Sequence, residues 1–140
     1  MNGELWRGLT IKTITMGGFM TNQRPHKNLT VWQKALLLVK RIYEITKHFP
    51  KEEEFGLKSQ LRRASVSVPS NIAEGLTRRS RNDKLHFLNT ADASLSEIDT
   101  QLEISLMLGF LDQTNFDETE ESLIAGEQLL GGLKRSIARQ

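Results

Sequence analysis

An apolar stripe that runs straight through a proline is the feature that most limits what this chain can fold into. From Phe55 to Arg81 the sequence reads FGLKSQLRRASVSVPSNIAEGLTRRSR. Leu57, Leu61, Ala64 or Ser65, Val68 and Ile72 recur at steps of three and four, which aligns them on one helix face. Pro69 sits inside that stripe. Its ring has no N–H to donate and crowds the carbonyl of Ser65, four residues back, so a break is the default. Yet the stripe keeps its phase on both sides, and Ser65, Ser67, Ser70 and Asn71 are spaced to bond the freed backbone. The expectation is one continuous helix, kinked at Pro69. Gly75 then supplies a stop, and Arg78, Arg79 and Arg81 follow as a cationic turn.

The other segments read as packing partners for that helix. In helix one Thr30 and Gln33 are spaced as a capping box. Its stripe is Trp32, Ala35, Leu36, Val39, Ile42, Tyr43, Thr46 and Phe49, and Pro50 closes it. Helix two starts among Glu52 to Glu54, where acids suit the positive end of a helix dipole. Helix three opens at Ser80, an N-cap with Asp83 three residues on, and runs through Leu88, Ala91, Leu95, Ile98, Leu102 and Ser105 or Leu106 to Gly109. Helix four has Thr114 as N-cap and Phe116, Leu123, Gly126, Leu130, Leu133 and Ile137 inward, with fraying expected at Gly131-Gly132. Connections at 50–54, 76–79 and 109–113 are short enough to force antiparallel neighbours. The predicted fold is therefore all-α, an antiparallel up-down-up-down four-helix bundle over residues 29–140. Residues 1–28 show no sustained periodicity and hold Gly3, Gly8, Gly17, Gly18 and Pro25. They read as a disordered segment or an extension, with Met16 and Met20 as alternative starts.

At 140 residues and 38% hydrophobic, the chain suits a single domain with one core. It has no cysteine, which excludes disulfides, thiolate metal sites and cysteine nucleophiles and suggests a reducing compartment. No stretch approaches the roughly 20 apolar residues of a membrane span. Met1 to Phe19 lacks the basic, apolar, small-residue order of a signal peptide, so the expected location is cytoplasmic, without membrane contact. The net charge of +2 conceals a segregation. Asn28 to Asn82 carries eleven Lys/Arg against five Glu, whereas Asp83 to Glu127 carries one Lys against eleven acids. Such halves attract each other, other subunits or separate partners. Leu37 and Leu38 on helix one, with Leu85, Ile104 and Leu108 on helix three, fall off their stripes and favour a second buried surface, hence a homo-oligomer.

Catalytic chemistry finds no foothold. Asp83-x-x-His86 and Glu44-x-x-x-His48 are single, unmatched pairs, whereas a bundle metal centre needs inward carboxylates and paired Glu-x-x-His motifs. Ser65, Ser67 and Ser70 have no glycine-framed elbow and no histidine nearby in sequence. No phosphate-binding glycine loop or dinucleotide fingerprint occurs. The expectation is no enzyme activity, no catalytic residue, no cofactor and no metal. Glu74 and Arg78 are spaced i, i+4 in the favourable order, and Asn71 lies one turn before Gly75. Pro69, Asn71, Glu74 and Gly75 therefore read as a structural motif that fixes the kink and turn. The constellation with functional promise is Lys58, Arg62, Arg63, Arg78, Arg79 and Arg81, because the arginine fork suits phosphate. Few aromatics interleave with these charges, which argues against base stacking. A solvated face, an acidic partner helix and RNA all fit the set.

The runs Gln60-Leu61-Arg62-Arg63-Ala64 and Val66-Ser67-Val68-Pro69-Ser70-Asn71-Ile72-Ala73-Glu74-Gly75, then Arg78 or Arg79 with Ser80, resemble the signature of a bacterial family. It is the four helix bundle protein family, also called the 23S ribosomal RNA intervening-sequence proteins and related to accessory proteins of diversity-generating retroelements. The likeness extends to Leu29-Thr30-Val31-Trp32-Gln33-Lys34-Ala35, Phe49-Pro50, Phe55-Gly56-Leu57, Phe87-Leu88, Ser94-Leu95-Ser96-Glu97 and Leu108-Gly109-Phe110-Leu111. One departure is Leu76-Thr77, where the family often has an aromatic and a glycine. The resemblance implies a ring-like homopentamer in an RNA context. The expected function is a non-catalytic oligomeric scaffold associated with RNA or a ribonucleoprotein, its basic patch contacting nucleic-acid phosphates. The alternative is a protein-only adaptor for an acidic partner, or an accessory subunit of a reverse transcriptase.

Overall fold

The computed structural model describes residues 24–140. They form four helices, α1 (Thr30–Thr46), α2 (Leu57–Thr77), α3 (Arg81–Met107) and α4 (Gln113–Ala138), with no strand among the described residues. One 3-10 turn, Pro25–Asn28, leads into α1, and another, Lys51–Glu53, joins α1 to α2. Each helix packs on the next and α4 returns onto α1. The contacts are antiparallel throughout. Arg62, early in α2, bonds Thr46 at the end of α1, and Gln101, late in α3, bonds Gln60, early in α2. Lys134, late in α4, pairs with Asp92, early in α3, and Arg41, late in α1, reaches Asn115, early in α4. The expected up-down-up-down order follows from these pairs. Of the expected disordered or extension segment at 1–28, residues 1–23 lie outside the described residues; at 24–28 the chain makes the turn, with His26 edge-on to Trp32 at 5.0 Å.

Helix α2 is unbroken through Pro69, whose ring is buried. Proline cannot bond the Ser65 carbonyl, but its neighbours add side-chain bonds around the gap. Ser70 Oγ donates to Val66 O at 2.8 Å, and Asn71 Nδ2 donates to Ser67 O at 2.8 Å and to Ser67 Oγ at 2.9 Å. Ser67 Oγ in turn meets Ser94 Oγ of α3 at 2.9 Å. Gly75 does not stop the helix, which continues to Thr77. The residue is buried against α3, where an added Cβ would lie 3.1 Å from Phe87 Cβ and 3.2 Å from Lys84 O. Its glycine identity thus answers to close helix approach, not to a turn.

The stripes of α2 and α3 are buried as expected, with Leu61, Ile72, Leu88, Ile98 and Leu102 fully enclosed. Of the predicted α1 stripe, Ala35, Ile42 and Thr46 are buried, with Phe49 beyond the helix end, but the helix is turned toward Val31, Leu38 and Ile45. Its buried apolar residues are Val31, Ala35, Leu37, Leu38, Ile42 and Ile45, while Trp32, Leu36 and Val39 are half-buried and Tyr43 is exposed. Leu37 and Leu38, expected off the stripe, are 5% and 2% exposed. The rotation carries Gln33 and Arg41 inward, and these polar groups need partners. Arg41 finds three on α4. Leu133 of α4 is half-buried too, and Thr119 is fully enclosed.

Helix ends depart from expectation where local chemistry differs. Thr30 is the first residue of α1, not its cap; Leu29 is the cap without a side-chain bond, and Gln33 Nε2 donates to Lys27 O at 2.8 Å. The acids at 52–54 precede α2, and Glu53 Oε1 accepts from Leu57 N at 2.9 Å. Ser80 caps α3 by accepting from Asp83 N. Asp112, rather than Thr114, caps α4 by accepting from Asn115 N at 2.8 Å. Helix α3 ends in a Schellman turn: Gly109 at φ 79°, Phe110 N to Ser105 O at 2.9 Å and Gly109 N to Leu106 O at 3.1 Å. Helix α4 passes through Gly131-Gly132 and holds to Ala138.

Candidate nucleic-acid interface

The six cations singled out in the sequence do not form one patch. Lys58, Arg62 and Arg63 lie on the first turns of α2, whereas Arg78, Arg79 and Arg81 lie beyond its far end. Twenty residues of helix separate Lys58 from Arg78, roughly 30 Å at 1.5 Å per residue.

Their engagement differs as much as their position. Lys58 pairs with exposed Glu54 at 3.0 Å. Arg62 lies over the Tyr43 ring, 4.4 Å from its centroid, while its Nε donates to Thr46 Oγ1 at 2.9 Å and its Nη2 to Tyr43 O at 3.2 Å. Arg62 therefore ties α1 to α2. Arg78 pairs with Glu74 at 2.6 Å and covers Phe87 at 4.6 Å. Arg81 donates to the carbonyls of Ala138 and Gln140 at the end of α4, where a cation suits the helix dipole. Arg63 and Arg79 are exposed and make no hydrogen bond or ion pair with the described residues. Of the structural set, Glu74 holds Arg78, Asn71 bonds Ser67, Pro69 is buried and Gly75 admits α3.

Sequence reasoning missed the residues around the first cluster. Tyr43 of α1 and Glu54 and Phe55 of the connection line one open depression with Lys58, Ser59, Arg62, Arg63 and Val66. Phe55 is 95% exposed and Tyr43 40%. The only signal was Phe55 itself, a large apolar residue in an otherwise charged connection.

The acidic half converges between α3 and α4. Asp99 Oδ1 and Glu120 Oε2 are both buried and meet no ordinary donor among the described residues. Burial, then the hydrogen bond to Asp99 and the charges of Asp99, Glu103 and Glu127, push Glu120 up to about 7. Burial, then Asp99 and Asp92, raise Glu127 as well. A proton kept on Glu120 lets it donate to Asp99 and supplies the missing bond. The folded chain holds this proton more tightly than the unfolded one, whose carboxyl titrates near 4.5. The resulting stability is full below pH 4.5 and is lost as pH rises through 7. The thermal midpoint is therefore expected to fall between pH 5 and pH 8, and Glu120→Gln, which donates a hydrogen bond at every pH, is expected to flatten that fall. Equal slopes for the two proteins would refute the proton on Glu120. No group of three or more His, Cys, Asp or Glu residues suited to a metal ion occurs among the described residues, and no helix there is long and apolar enough to cross a membrane.

Fold and surface together define an all-helical, four-helix protein with cationic clusters at both ends of its proline-bearing helix. Residues 27–132 match the 23S rRNA-intervening sequence protein family, and the chain belongs to it. Among solved structures, a Bacteroides thetaiotaomicron protein of unknown function from the S23 ribosomal protein family is similar, with TM-score 0.68 and 23% identity over 75% of this chain and 98% of that one. That likeness speaks for the fold. No curated protein matches the chain.

Proposed function

We propose that the protein is a non-catalytic, self-associating helical scaffold that engages RNA phosphates through the cations at the two ends of α2. The observation that carries this reading is the pair of exposed arginines, Arg63 and Arg79, that the described fold leaves without partners. Arginine donates two parallel hydrogen bonds to phosphate, and an uncommitted one does so without breaking an internal contact. The family name supports an RNA setting. Self-association is supported by the segregation of basic residues to Asn28–Asn82 and acidic ones to Asp83–Glu127 and by exposed Met107, Leu108, Ile124 and Leu129. Repetition around a ring, five subunits in the resemblance, multiplies a small patch into a continuous footprint.

Salt titration tests the reading. Log affinity for single-stranded RNA is expected to fall linearly with log salt, at about 0.7 per phosphate contacted. The Arg63→Ala, Arg79→Ala double variant is expected to flatten the slope by about 1.4 per subunit engaged. Arg62 is unsuitable for this test because it holds α1 against α2. RNA binding no tighter than that of a charge-matched acidic polymer, or an unchanged slope, would overturn the proposal. Light scattering on the same sample must give a mass above one subunit.

A further inference from the structure

We infer that the depression between the end of α1 and the start of α2 binds unpaired bases of a single strand, with Phe55 as its stacking platform. The inference rests on the RNA reading above and narrows it to single-stranded nucleic acid. Its basis is a juxtaposition the sequence hides: Tyr43, Phe55 and Val66 share one open surface with Lys58, Arg62 and Arg63.

Phe55 is the outlier. Burying a phenylalanine is worth more than burying almost any other side chain, yet this ring stands free at the connection before α2. Every base has a π-face, so an exposed ring on a cationic surface is a sequence-tolerant stacking site. Duplex RNA keeps its base faces inside the stack and offers a protein mainly phosphates and hydroxyls. A phosphate-only surface would need no ring.

The neighbours are arranged for the same ligand. Arg62 is stacked on Tyr43 and held by Thr46 and the Tyr43 carbonyl, so this ring and guanidinium are already ordered before anything binds. Lys58 pairs with Glu54 on the exposed rim, a contact weak enough to exchange for a phosphate. Arg63 is uncommitted. Cations thus line the same depression as the two rings, the combination that a strand with stacked bases and flanking phosphates requires.

The far end of α2 supplies the internal contrast. There Arg78 covers half-buried Phe87, and Arg81 is engaged with the end of α4. Charge is present there without an exposed phenylalanine or tyrosine; the exposed ring is His86, edge-on to Phe87 at 5.3 Å. The two ends therefore differ in kind: one reads bases and phosphates, the other phosphates alone.

The test uses the full-length protein with an unstructured oligo-uridine and an RNA hairpin of equal phosphate number. The variants are Phe55→Ala, Phe55→Trp and Arg63→Ala. Phe55 lies outside the helices and is exposed, so circular dichroism should show all of them folded. The expected result is preference for oligo-uridine over the hairpin. Phe55→Ala should weaken oligo-uridine binding roughly 10-fold, the loss of one stacked base, with the salt slope unchanged. Phe55→Trp should keep the affinity and show tryptophan quenching on binding. If hairpin and single strand bind alike and Phe55→Ala changes nothing while Arg63→Ala weakens both, the stacking site is overturned and the phosphate reading stands. If neither RNA binds, the RNA reading itself falls. If Phe55→Ala lowers the mass of the protein in solution, Phe55 lies between copies and the inference is wrong. Binding of polyglutamate with the same dependence on Phe55 would also overturn it, in favour of an acidic protein partner.

Discussion

Arg41→Ala is expected to lower the free energy of unfolding by about 3–5 kcal/mol. The guanidinium is enclosed between α1 and α4, where its Nη2 donates to Glu118 Oε2 at 2.9 Å and Asn115 Oδ1 at 2.8 Å, and its Nε to Thr119 Oγ1 at 3.2 Å. The side chains of Arg41 and Glu118 are only 8% and 15% exposed, so little water can replace the lost charge. Alanine would leave Glu118 without this counter-charge and Thr119 inside the core. The loss measures the damage of breaking the pair, not its net worth. Replacing Arg41 by Met and Glu118 by Leu together is accordingly expected to recover most of it. Urea denaturation decides the matter; a loss under about 1 kcal/mol for Arg41→Ala would mean the seam is far wetter than described.

Leu95→Ala is the second large effect, about 2–5 kcal/mol by the same measurement. Leu95 is 1% exposed and faces the point where all four helices meet. Val31, Leu38, Val68, Ile72 and Leu130 surround it there, around a void of about 10 Å³. Deleting the isobutyl group enlarges a gap whose walls come from four directions, so no single side chain can collapse into it. Asn89→Ala on the same helix is the control, since Asn89 is exposed and its loss is expected within about 0.5 kcal/mol. Equal losses at the two sites would remove Leu95 from the core.

Much of this architecture was legible because the period of α2 and α3 is carried by isolated apolar residues in polar surroundings. Leu57, Leu61, Val68 and Ile72 admit only one face, as do Leu88, Leu95, Ile98 and Leu102. In α1 the run Ala35-Leu36-Leu37-Leu38-Val39 is apolar on every side, and periodicity cannot choose a face. The choice was made by Arg41, whose partners lie on α4. A rule that places charges outward discards the decisive residue. Gly75 was misread for a related reason: its signal in sequence is the same whether it ends a helix or lets another helix in. The cationic set was legible in identity but not in place. A helix continuous through Pro69 puts three of its members at each end, and Tyr43 and Phe55 join the first three only when α1 folds back on α2. Catalysis and cofactors were read as absent from motifs alone.

The seam between α1 and α4 has a consequence in time. The other three helix interfaces join chain neighbours across short loops, but Arg41 grips residues 74 to 78 positions away. Closing so long a loop carries an entropic cost that adjacent hairpins avoid, which makes this seam a late event in folding. An interaction formed late is absent from the transition state, and its loss then appears as faster unfolding with an almost unchanged folding rate. In a chevron plot of Arg41→Ala the unfolding arm should rise while the folding arm stays in place; a shift of the folding arm would put the α1–α4 closure in the nucleus. The clasp that shuts the bundle is on this account its kinetic lock, governing how long each folded molecule survives rather than how quickly it forms.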